Sequence, residues 1–307
     1  MTVLESPVST KTVAQKSRPI FVLGVDRSGT SLVSEILYKW GAYPGELDHL
    51  AEANEANPQG FWEYVPMEDF IHKLFSSVNV TPWDPTFNDL MKQKASDWAF
   101  RKEALDLIEQ MEKGPAWFWK EPYLSLCMGF WEEIVENPIF IVTIRNPYES
   151  ARSYEKYILP PNLRGKISLL GLFLLRWQWF MLSILKAADN SSSVHFIPYD
   201  SLVRKPIEQC DRLARFLDQE CGTEGADRTK LRRMISSVNP GLYRNRSSNA
   251  FAEAPNVTPV QVALYDFLLR KADNPSEPFD PARYPMPDWA LEYLVNFDVF
   301  SDMFNLS

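Results

Sequence analysis

The stretch IFVLGVDRSGTSLVSEIL, from Ile20 to Leu37, decides the fold of this chain. Its apolar opening, Ile20–Val25, predicts a buried β-strand. The apolar residues that follow recur at helical spacing as far as Gly41, which supplies a stop signal. The stretch therefore predicts a strand, a tight turn and a helix, the unit from which α/β proteins are built.

The turn between this strand and helix has the glycine spacing of a phosphate-binding loop. Gly24 and Gly29 stand at the familiar separation, but Thr30 occupies the position where such loops carry lysine. The nearest cation is Arg27, whose planar guanidinium suits the oxygens of a phosphate or a sulfate. Main-chain amides and the start of the helix add donors and a positive dipole. The pattern predicts a P-loop-like anion site.

Hydroxyl groups surround this cation. Ser28, Thr30 and Ser31 each add a donor to the amides of the loop. An ordinary turn in which Ser28 or Thr30 merely caps the helix gives the same sequence pattern. The loop alone therefore leaves both interpretations open.

Three further apolar runs indicate a parallel sheet. The predicted strands are Ile20–Val25, Trp117–Lys120, Ile139–Arg145 and Val194–Tyr199. Helical patterns separate them, so we expect a single α/β domain with a central parallel β-sheet flanked by helices. The carboxyl ends of parallel strands share one edge, which should gather Arg27, Lys120, Arg145 and Tyr199 around one crevice.

A second anion-binding element follows the third strand. In VTIRNPYESARSYEKY, from Val142 to Tyr157, Arg145 ends the strand and Ser153 lies eight residues later. A helix that begins near Pro147 would carry this serine. An arginine and a hydroxyl from two elements can hold one phosphate from two sides.

At these residues the chain resembles the sulfotransferases that use 3'-phosphoadenosine 5'-phosphosulfate (PAPS). DRSGTS is similar to the family's 5'-phosphosulfate loop, and the segment from Arg145 to Ser153 is similar to its 3'-phosphate element. IPYDSLVRKPIEQCDRLARFLD resembles the next family segment, which implies that Tyr199 lies against adenine. NPQGFWE, from Asn57 to Glu63, and WKEPYLSL, from Trp119 to Leu126, look like bacterial members that act on small molecules or on unidentified acceptors.

The resemblance runs from Pro19 to Asp218 and weakens beyond Gly222. The family's Arg-Lys-Gly element near the C-terminus is missing, and YRNRSS is the nearest substitute. The resemblance implies that PAPS is the cofactor and that the product 3'-phosphoadenosine 5'-phosphate (PAP) remains after transfer. The cofactor-binding residues that it implies are Arg27, Ser28, Gly29, Thr30, Ser31, Arg145, Ser153, Tyr199, Arg244 and Arg246.

Sulfuryl transfer needs positive charge on the leaving phosphate and a base for the acceptor's proton. We predict that Arg27 and Lys120 supply the charge. Cytosolic family members have Lys-Thr-His where this chain has Lys120-Glu121-Pro122, so the usual histidine is missing. Glu121 and Glu63 are then nearly equal candidates for the base. A structural ion pair explains Glu121 without catalysis, and a solvated loop position explains Glu63.

The remaining side chains give weaker indications of the site. His49 and His72 are third choices for the base, and His195 lies within a predicted strand, where a structural role is expected. Six aromatic residues are expected to border an acceptor pocket, although core packing accounts for them equally well. They are Trp62, Tyr64, Trp83, Trp117, Trp119 and Tyr123.

Composition narrows the partners and the compartment. The chain of 307 residues has a formal charge of -8, which argues against nucleic acid or an acidic membrane as a partner. Its three cysteines form no CxxC pair, so neither a zinc site nor a disulfide framework is expected. The span Ile167–Leu185 is long enough to cross a bilayer, but Arg176 and Gln178 at its centre predict a buried helix.

We therefore expect a cytoplasmic enzyme with a flexible arm over residues 1–18 and a sulfotransferase domain over residues 19–307. It would transfer a sulfuryl group from PAPS to a hydroxyl or amine of a small organic acceptor, as in natural product biosynthesis. Two alternatives stay open at the level of sequence. One is a small-molecule kinase with an altered phosphate loop, and the other is a nucleotide-binding scaffold without catalysis.

Overall fold

Four parallel strands form one sheet in the order β2-β1-β3-β4. They are β1 (Arg18–Leu23), β2 (Ala116–Lys120), β3 (Ile139–Ile144) and β4 (Val194–Pro198). The computed structural model describes residues 17–54, 57, 60–157, 169–223, 225, 227–242, 251–290, 292, 294 and 295. The predicted parallel α/β architecture is confirmed.

The strand boundaries differ slightly from the prediction. β1 begins at Arg18, whose guanidinium donates to the main-chain carbonyl of Glu220 at 2.7 Å. β4 ends at Pro198, so Tyr199 opens a helix rather than closing the strand. Residues 1–16 of the predicted arm lie outside the described residues.

Helices cover both faces of the sheet. They are α1 (Thr30–Trp40), α2 (Val65–Ser76), α3 (Phe87–Lys94), α4 (Trp98–Met111), α5 (Met128–Glu132), α6 (Pro147–Tyr157), α7 (Leu170–Asp189), α8 (Tyr199–Arg204), α9 (Pro206–Cys221), α10 (Arg228–Ser236) and α11 (Pro259–Asp273). Helix α6 begins at Pro147, as predicted, because proline is well suited to the first turn of a helix. A short 3₁₀ turn, Pro122–Leu126, follows β2 and is called the Pro122 turn below.

Alternate strand residues enter two separate cores. Phe21 and Trp119 pack on the face that includes α7, whereas Val22 and Phe118 pack on the face that includes α1 and α9. Side chains alternate across a strand, so a strand covered on both faces must be apolar throughout. This burial explains why the strands read as continuous apolar runs.

Helix α7 is the long apolar segment noted in the sequence. It is the one helix within the described ranges that is long and apolar enough to cross a bilayer, and 67% of its most apolar window is buried inside the protein. Arg176 and Gln178 are both buried, and the Gln178 amide donates to the carbonyl of Pro285 at 3.1 Å. The predicted buried helix is confirmed for the residues that the structure describes.

The aromatic residues expected around an acceptor pocket lie mainly in the core. Tyr64, Trp83, Trp117 and Trp119 are each at most 4% exposed. Trp117 and Trp119 alternate with Phe118 on β2, which sends all three rings into one core or the other. The expectation of an aromatic border was therefore wrong for these four, and only Trp62 and Tyr123 are partly accessible.

Candidate functional site

The turn from Gly24 to Gly29 joins β1 to α1 at the carboxyl edge of the sheet. Arg27 has a φ of 63° and Gly29 a φ of 103°, both in the left-handed region. This region is unfavourable for arginine unless neighbouring groups hold the backbone there. The carbonyl of Arg27 accepts hydrogen bonds from the Arg145 guanidinium at 2.8 Å and from the Ser150 hydroxyl at 3.4 Å. The segment that follows β3 thus holds the turn that follows β1.

Gly29 allows the loop to lie directly against Tyr199. A Cβ atom at position 29 would come within 2.3 Å of Cδ2 of the Tyr199 ring. The guanidinium carbon of Arg145 lies 4.7 Å from the centre of the same ring. Tyr199 therefore contacts both the Gly24–Gly29 turn and Arg145, which belong to the two predicted anion-binding elements.

Replacing Gly29 with alanine is expected to lower the thermal midpoint by several degrees and to weaken PAP binding by about tenfold or more, because the methyl group forces the loop and Tyr199 apart. Gly41→Ala is the matched control, since Gly41 also has a positive φ, 122°, but its Cβ would meet nothing within 4 Å. Calorimetric binding and thermal denaturation of both variants measure the difference. Equal losses in the two would contradict the contact argument.

The three hydroxyl residues of the loop do not face the same way. Ser28 is 1% exposed, and its hydroxyl shares a 2.7 Å hydrogen bond with that of Thr143, inside the protein. Its main-chain N–H donates to the carbonyl of Val25. Thr30 opens α1 and is also buried, whereas the Ser31 hydroxyl accepts a hydrogen bond from Asn57 at 2.9 Å. Both donor groups of Ser28 are thus engaged in holding the turn.

Arg27 and Arg145 come together at the mouth of this turn. Arg27 Nε donates to the hydroxyl of Ser153 at 3.2 Å, so the serine expected to assist Arg145 contacts the other arginine. Burial and the nearby charge of Arg145 lower the pKa of Arg27 from its usual value. Arg145 also faces Glu149, with Nε 3.5 Å from its carboxylate. The predicted convergence of the two guanidinium groups is present, while Arg244 and Arg246 lie outside the described residues.

Lys120 and Glu63 form an ion pair at the end of β2. Lys120 is 4% exposed and its ammonium donates to Oε1 of Glu63, whose side chain is 16% exposed. The two residues are separated by 57 positions in the sequence. A buried charge is stable when it has a partner of opposite sign. The pair therefore places a cation and a carboxylate side by side, next to β1, the strand that leads into the Gly24–Gly29 turn.

Glu121 has a different environment from Glu63. It is 6% exposed, and its Oε2 accepts the N–H of Leu124 at 2.8 Å, which caps the Pro122 turn. Burial raises the pKa of Glu121 to about 8, and the carboxylates of Glu63 and Asp26 add to the effect. A carboxyl group with that pKa is mainly protonated at neutral pH.

Replacing Glu121 with glutamine is expected to stabilise the protein at about pH 8 relative to the wild type. Between 4.5 and about 8 the folded state keeps a proton that the unfolded chain has released. The stability linked to this group is therefore present below the lower value and is lost as the pH rises to the higher one. Since one pKa unit is about 1.4 kcal/mol, the full gap sets an upper limit, and after relaxation we expect about 1 to 3 kcal/mol.

Denaturant unfolding of both proteins at about pH 5 and about pH 8 measures this effect. The stability gap in favour of the glutamine variant should widen as the pH rises. A gap that stays constant would show that Glu121 is already ionised in the folded state.

The histidines are poor candidates for the base. His49 and His72 are exposed, and His72 lies 3.9 Å from the Glu68 carboxylate. His195 stacks on Phe216 with ring centres 5.0 Å apart, and burial lowers its pKa to about 4, which fits the structural role expected for it. Among the residues that the structure describes, no group of His, Cys, Asp or Glu side chains could hold a metal ion.

Two residues beside the loop were not singled out as site residues from the sequence. Asp26 precedes Arg27 and forms an ion pair with Arg176, which lies in the middle of α7. Arg176 Nη1 also donates to the hydroxyl of Tyr123, in the Pro122 turn. An arginine in an otherwise apolar helix was the available signal, because a buried charge requires a partner.

Comparison with known proteins places these motifs in one family. The sulfotransferase family model matches residues 19–222. No curated protein sequence matches the chain. Three similar solved structures are the sulfotransferase domain of the Synechococcus PCC 7002 olefin synthase, the sulfotransferase domain from the curacin biosynthetic pathway, and mouse sulfotransferase SULT7A1 complexed with PAP.

The similarity to these structures is distant. The olefin synthase domain has 18% identity and a TM-score of 0.44, with 94% of this chain and 97% of that chain covered. For the curacin pathway domain the values are 15%, 0.42, 92% and 98%. For the mouse protein they are 13%, 0.42, 92% and 89%. The family model, which spans well over half of the 307 residues, carries the assignment: the chain belongs to the sulfotransferase family.

Proposed function

We propose that this protein transfers a sulfuryl group from PAPS to a hydroxyl or amine of a small organic acceptor in the cytoplasm. One observation carries the proposal: Arg27, Arg145 and Ser153 meet beside a glycine turn at the carboxyl edge of the sheet. Ligands of parallel α/β sheets bind at this edge. The cavity of 390 Å³ that Arg18, Trp117 and Asn137 help to line lies at the opposite edge and has no part in the proposal.

The residues present fit a nucleotide with phosphate groups at two positions. Two guanidinium groups held close together repel each other, and this repulsion adds to burial in lowering the pKa of Arg27. Anionic groups of one nucleotide that bind beside each guanidinium would relieve this repulsion and gain charge-assisted hydrogen bonds. Arg27 would bind the 5'-phosphosulfate side and Arg145 the 3'-phosphate side, with Tyr199 beside the adenine.

PAPS supplies the sulfuryl group when it is bound. Arg27 and Lys120 would stabilise the negative charge that develops on the leaving phosphate. Lys120 is well suited to this role because the sheet holds it at the end of β2, buried and already desolvated. A donor that is positioned in advance needs no reorganisation during the reaction.

We assign the base to Glu63 rather than to Glu121. The carboxyl of Glu121 caps the Pro122 turn, and a pKa near 8 leaves it protonated at neutral pH, so that it has no capacity to accept a proton. Glu63 lies beside Lys120, in direct contact with its ammonium. In this arrangement one carboxylate would take the acceptor's proton while its neighbouring cation acts on the leaving group.

The resemblance of the segments Asn57–Glu63 and Trp119–Leu126 to bacterial family members supports a small-molecule acceptor. Phe61, Trp62 and Tyr123 are the partly accessible aromatic residues of these segments, and they would offer apolar contacts. We propose that such an acceptor belongs to a biosynthetic pathway.

Mass spectrometry of a metabolite extract, incubated with the protein in the presence and absence of PAPS, tests the function. We expect at least one metabolite to gain the mass of a sulfuryl group only when the protein and PAPS are both present. Calorimetry with PAP and with magnesium ATP accompanies it. If the protein binds magnesium ATP but not PAP, the assignment changes from a sulfotransferase activity to a kinase activity. If it binds PAP but forms no sulfated product, a nucleotide-binding scaffold without catalysis is favoured.

A further inference from the structure

We propose that Arg176 is a positioning residue that fixes the phosphate loop through its ion pair with Asp26. Its effect on nucleotide affinity rests on the proposed function, whereas its effect on the loop does not. Arg176 lies on α7, which packs on the face of the sheet opposite to α1, and it contacts the loop from that face. No other part of the proposed machinery includes it.

Arg176 is held rigidly by aromatic rings. It is 2% exposed, and its guanidinium carbon lies 4.8 Å from the ring centre of Phe180, 5.2 Å from that of Tyr123 and 5.6 Å from that of Trp83. Rings around a guanidinium fix its plane and its direction. Burial alone lowers the pKa of Arg176, but the nearby Tyr123 and Asp26 raise it well above the usual value, so the group stays cationic.

The partner of this cation belongs to the loop itself. Arg176 Nη2 donates to Oδ2 of Asp26, and Nη1 donates to the Tyr123 hydroxyl at 3.3 Å. Asp26 directly precedes Arg27, the residue with the left-handed backbone. Arg145 and Ser150 hold the carbonyl on the other side of Arg27. The unfavourable conformation of Arg27 is thus fixed from both flanks.

Stability alone is a weak explanation for this pair. A buried ion pair adds little to folding compared with well-packed apolar side chains of similar volume. The surroundings of Arg176 are aromatic and would accept methionine or leucine. What an apolar side chain does not supply is a directed contact with the loop, 150 residues away in the sequence. The pair therefore defines where the Arg27 guanidinium points, toward Ser153.

The test compares Asp26→Asn, Arg176→Met and the double variant with Lys271→Met as control. Lys271 is another cation buried to a similar degree, 3% exposed, but it lies near the end of α11 and its ammonium donates to the carbonyl of Pro275, just beyond that helix. Tyr123→Phe, which removes only a hydroxyl, is the mildest change. Thermal denaturation identifies any variant that fails to fold. If Arg176→Met does not fold, the comparison with the wild type rests on Asp26→Asn, because Asp26 lies in a partly exposed loop.

Hydrogen exchange of amides 24–31 in the ligand-free protein is the first readout. We expect exchange to accelerate by about tenfold in both single variants and no further in the double variant, because the two residues act as one unit. Lys271→Met should leave these amides unchanged even where its thermal midpoint falls. Unchanged exchange in Asp26→Asn and Arg176→Met would overturn the proposal.

Calorimetry with PAP is the second readout. We expect the dissociation constant to rise by about ten- to hundredfold in both variants, as misplaced binding groups do, and to stay unchanged in Lys271→Met. If the wild type does not bind PAP, the proposed function fails while the exchange data still decide whether Arg176 fixes the loop. If exchange accelerates but PAP affinity is unchanged, the pair has a structural role alone and the positioning role is wrong.

Discussion

Glu63→Gln is expected to lower the turnover number by about 10²- to 10⁴-fold while PAP affinity stays within about threefold, because the amide has the same shape but cannot accept the acceptor's proton. In this variant the ion pair with Lys120 becomes a hydrogen bond from the charged ammonium to a neutral amide oxygen. Lys120 therefore keeps a partner, which limits the loss of folding stability. Once an acceptor is identified, steady-state rates and calorimetry with PAP provide the two measurements.

Glu121→Gln separates the two carboxylates. The glutamine oxygen can still accept the N–H of Leu124, so the Pro122 turn keeps its cap. We expect turnover within about threefold of the wild type. A large loss of rate in Glu121→Gln, together with little change in Glu63→Gln, would reverse the assignment of the base.

Arg145→Ala is expected to weaken PAP binding by about 10- to 150-fold, the loss that accompanies removal of one charged hydrogen-bonding group. The substitution also removes the hydrogen bond to the carbonyl of Arg27, so the backbone of Arg27 loses one of the contacts that hold it in place. Arg215→Ala is the control: this arginine is exposed on α9, where it pairs with Asp211, and its loss changes the net charge equally. Affinity unchanged in calorimetry would refute the 3'-phosphate assignment.

Arg145→Lys is a second variant that tests the same assignment if Arg145→Ala does not fold. Alanine removes the cation beside the buried Glu149, and such a loss destabilises proteins strongly. Lysine keeps the charge there but offers a point charge instead of a planar fork. We expect this variant to keep its thermal midpoint within a few degrees and still to bind PAP about tenfold more weakly.

Much of the fold could be predicted because its signals are local. Apolar runs of four to seven residues gave the strands, and the helix stop at Gly41 and the helix start at Pro147 were marked by residues with strong backbone preferences. The rule that parallel strands present their carboxyl ends at one edge then predicted that Arg27, Lys120 and Arg145 lie at that edge. No contact information was needed for that step.

The direction of individual side chains could not be predicted in the same way. Ser28 reads as a ligand donor in the sequence, but its hydroxyl turns inward to Thr143. Trp119 reads as a pocket residue, but its position on β2 sends it into the core. The outcome for Ser28 depends on which side of the turn faces solvent, and spacing alone leaves that undefined. The outcome for Trp119 follows from the burial of β2 on both faces, so that neither side of this strand faces solvent.

The sequence by itself determined the parallel α/β fold, because each strand and helix is encoded in a short run with its own periodicity or backbone preference. Its motifs, taken in order, carried the resemblance to the sulfotransferase family. Only the tertiary structure decided that Glu63 pairs with Lys120, that Glu121 is a buried cap, and that Arg176 reaches Asp26. These are contacts between distant segments, and their energies depend on burial and distance, which exist only after the chain has folded.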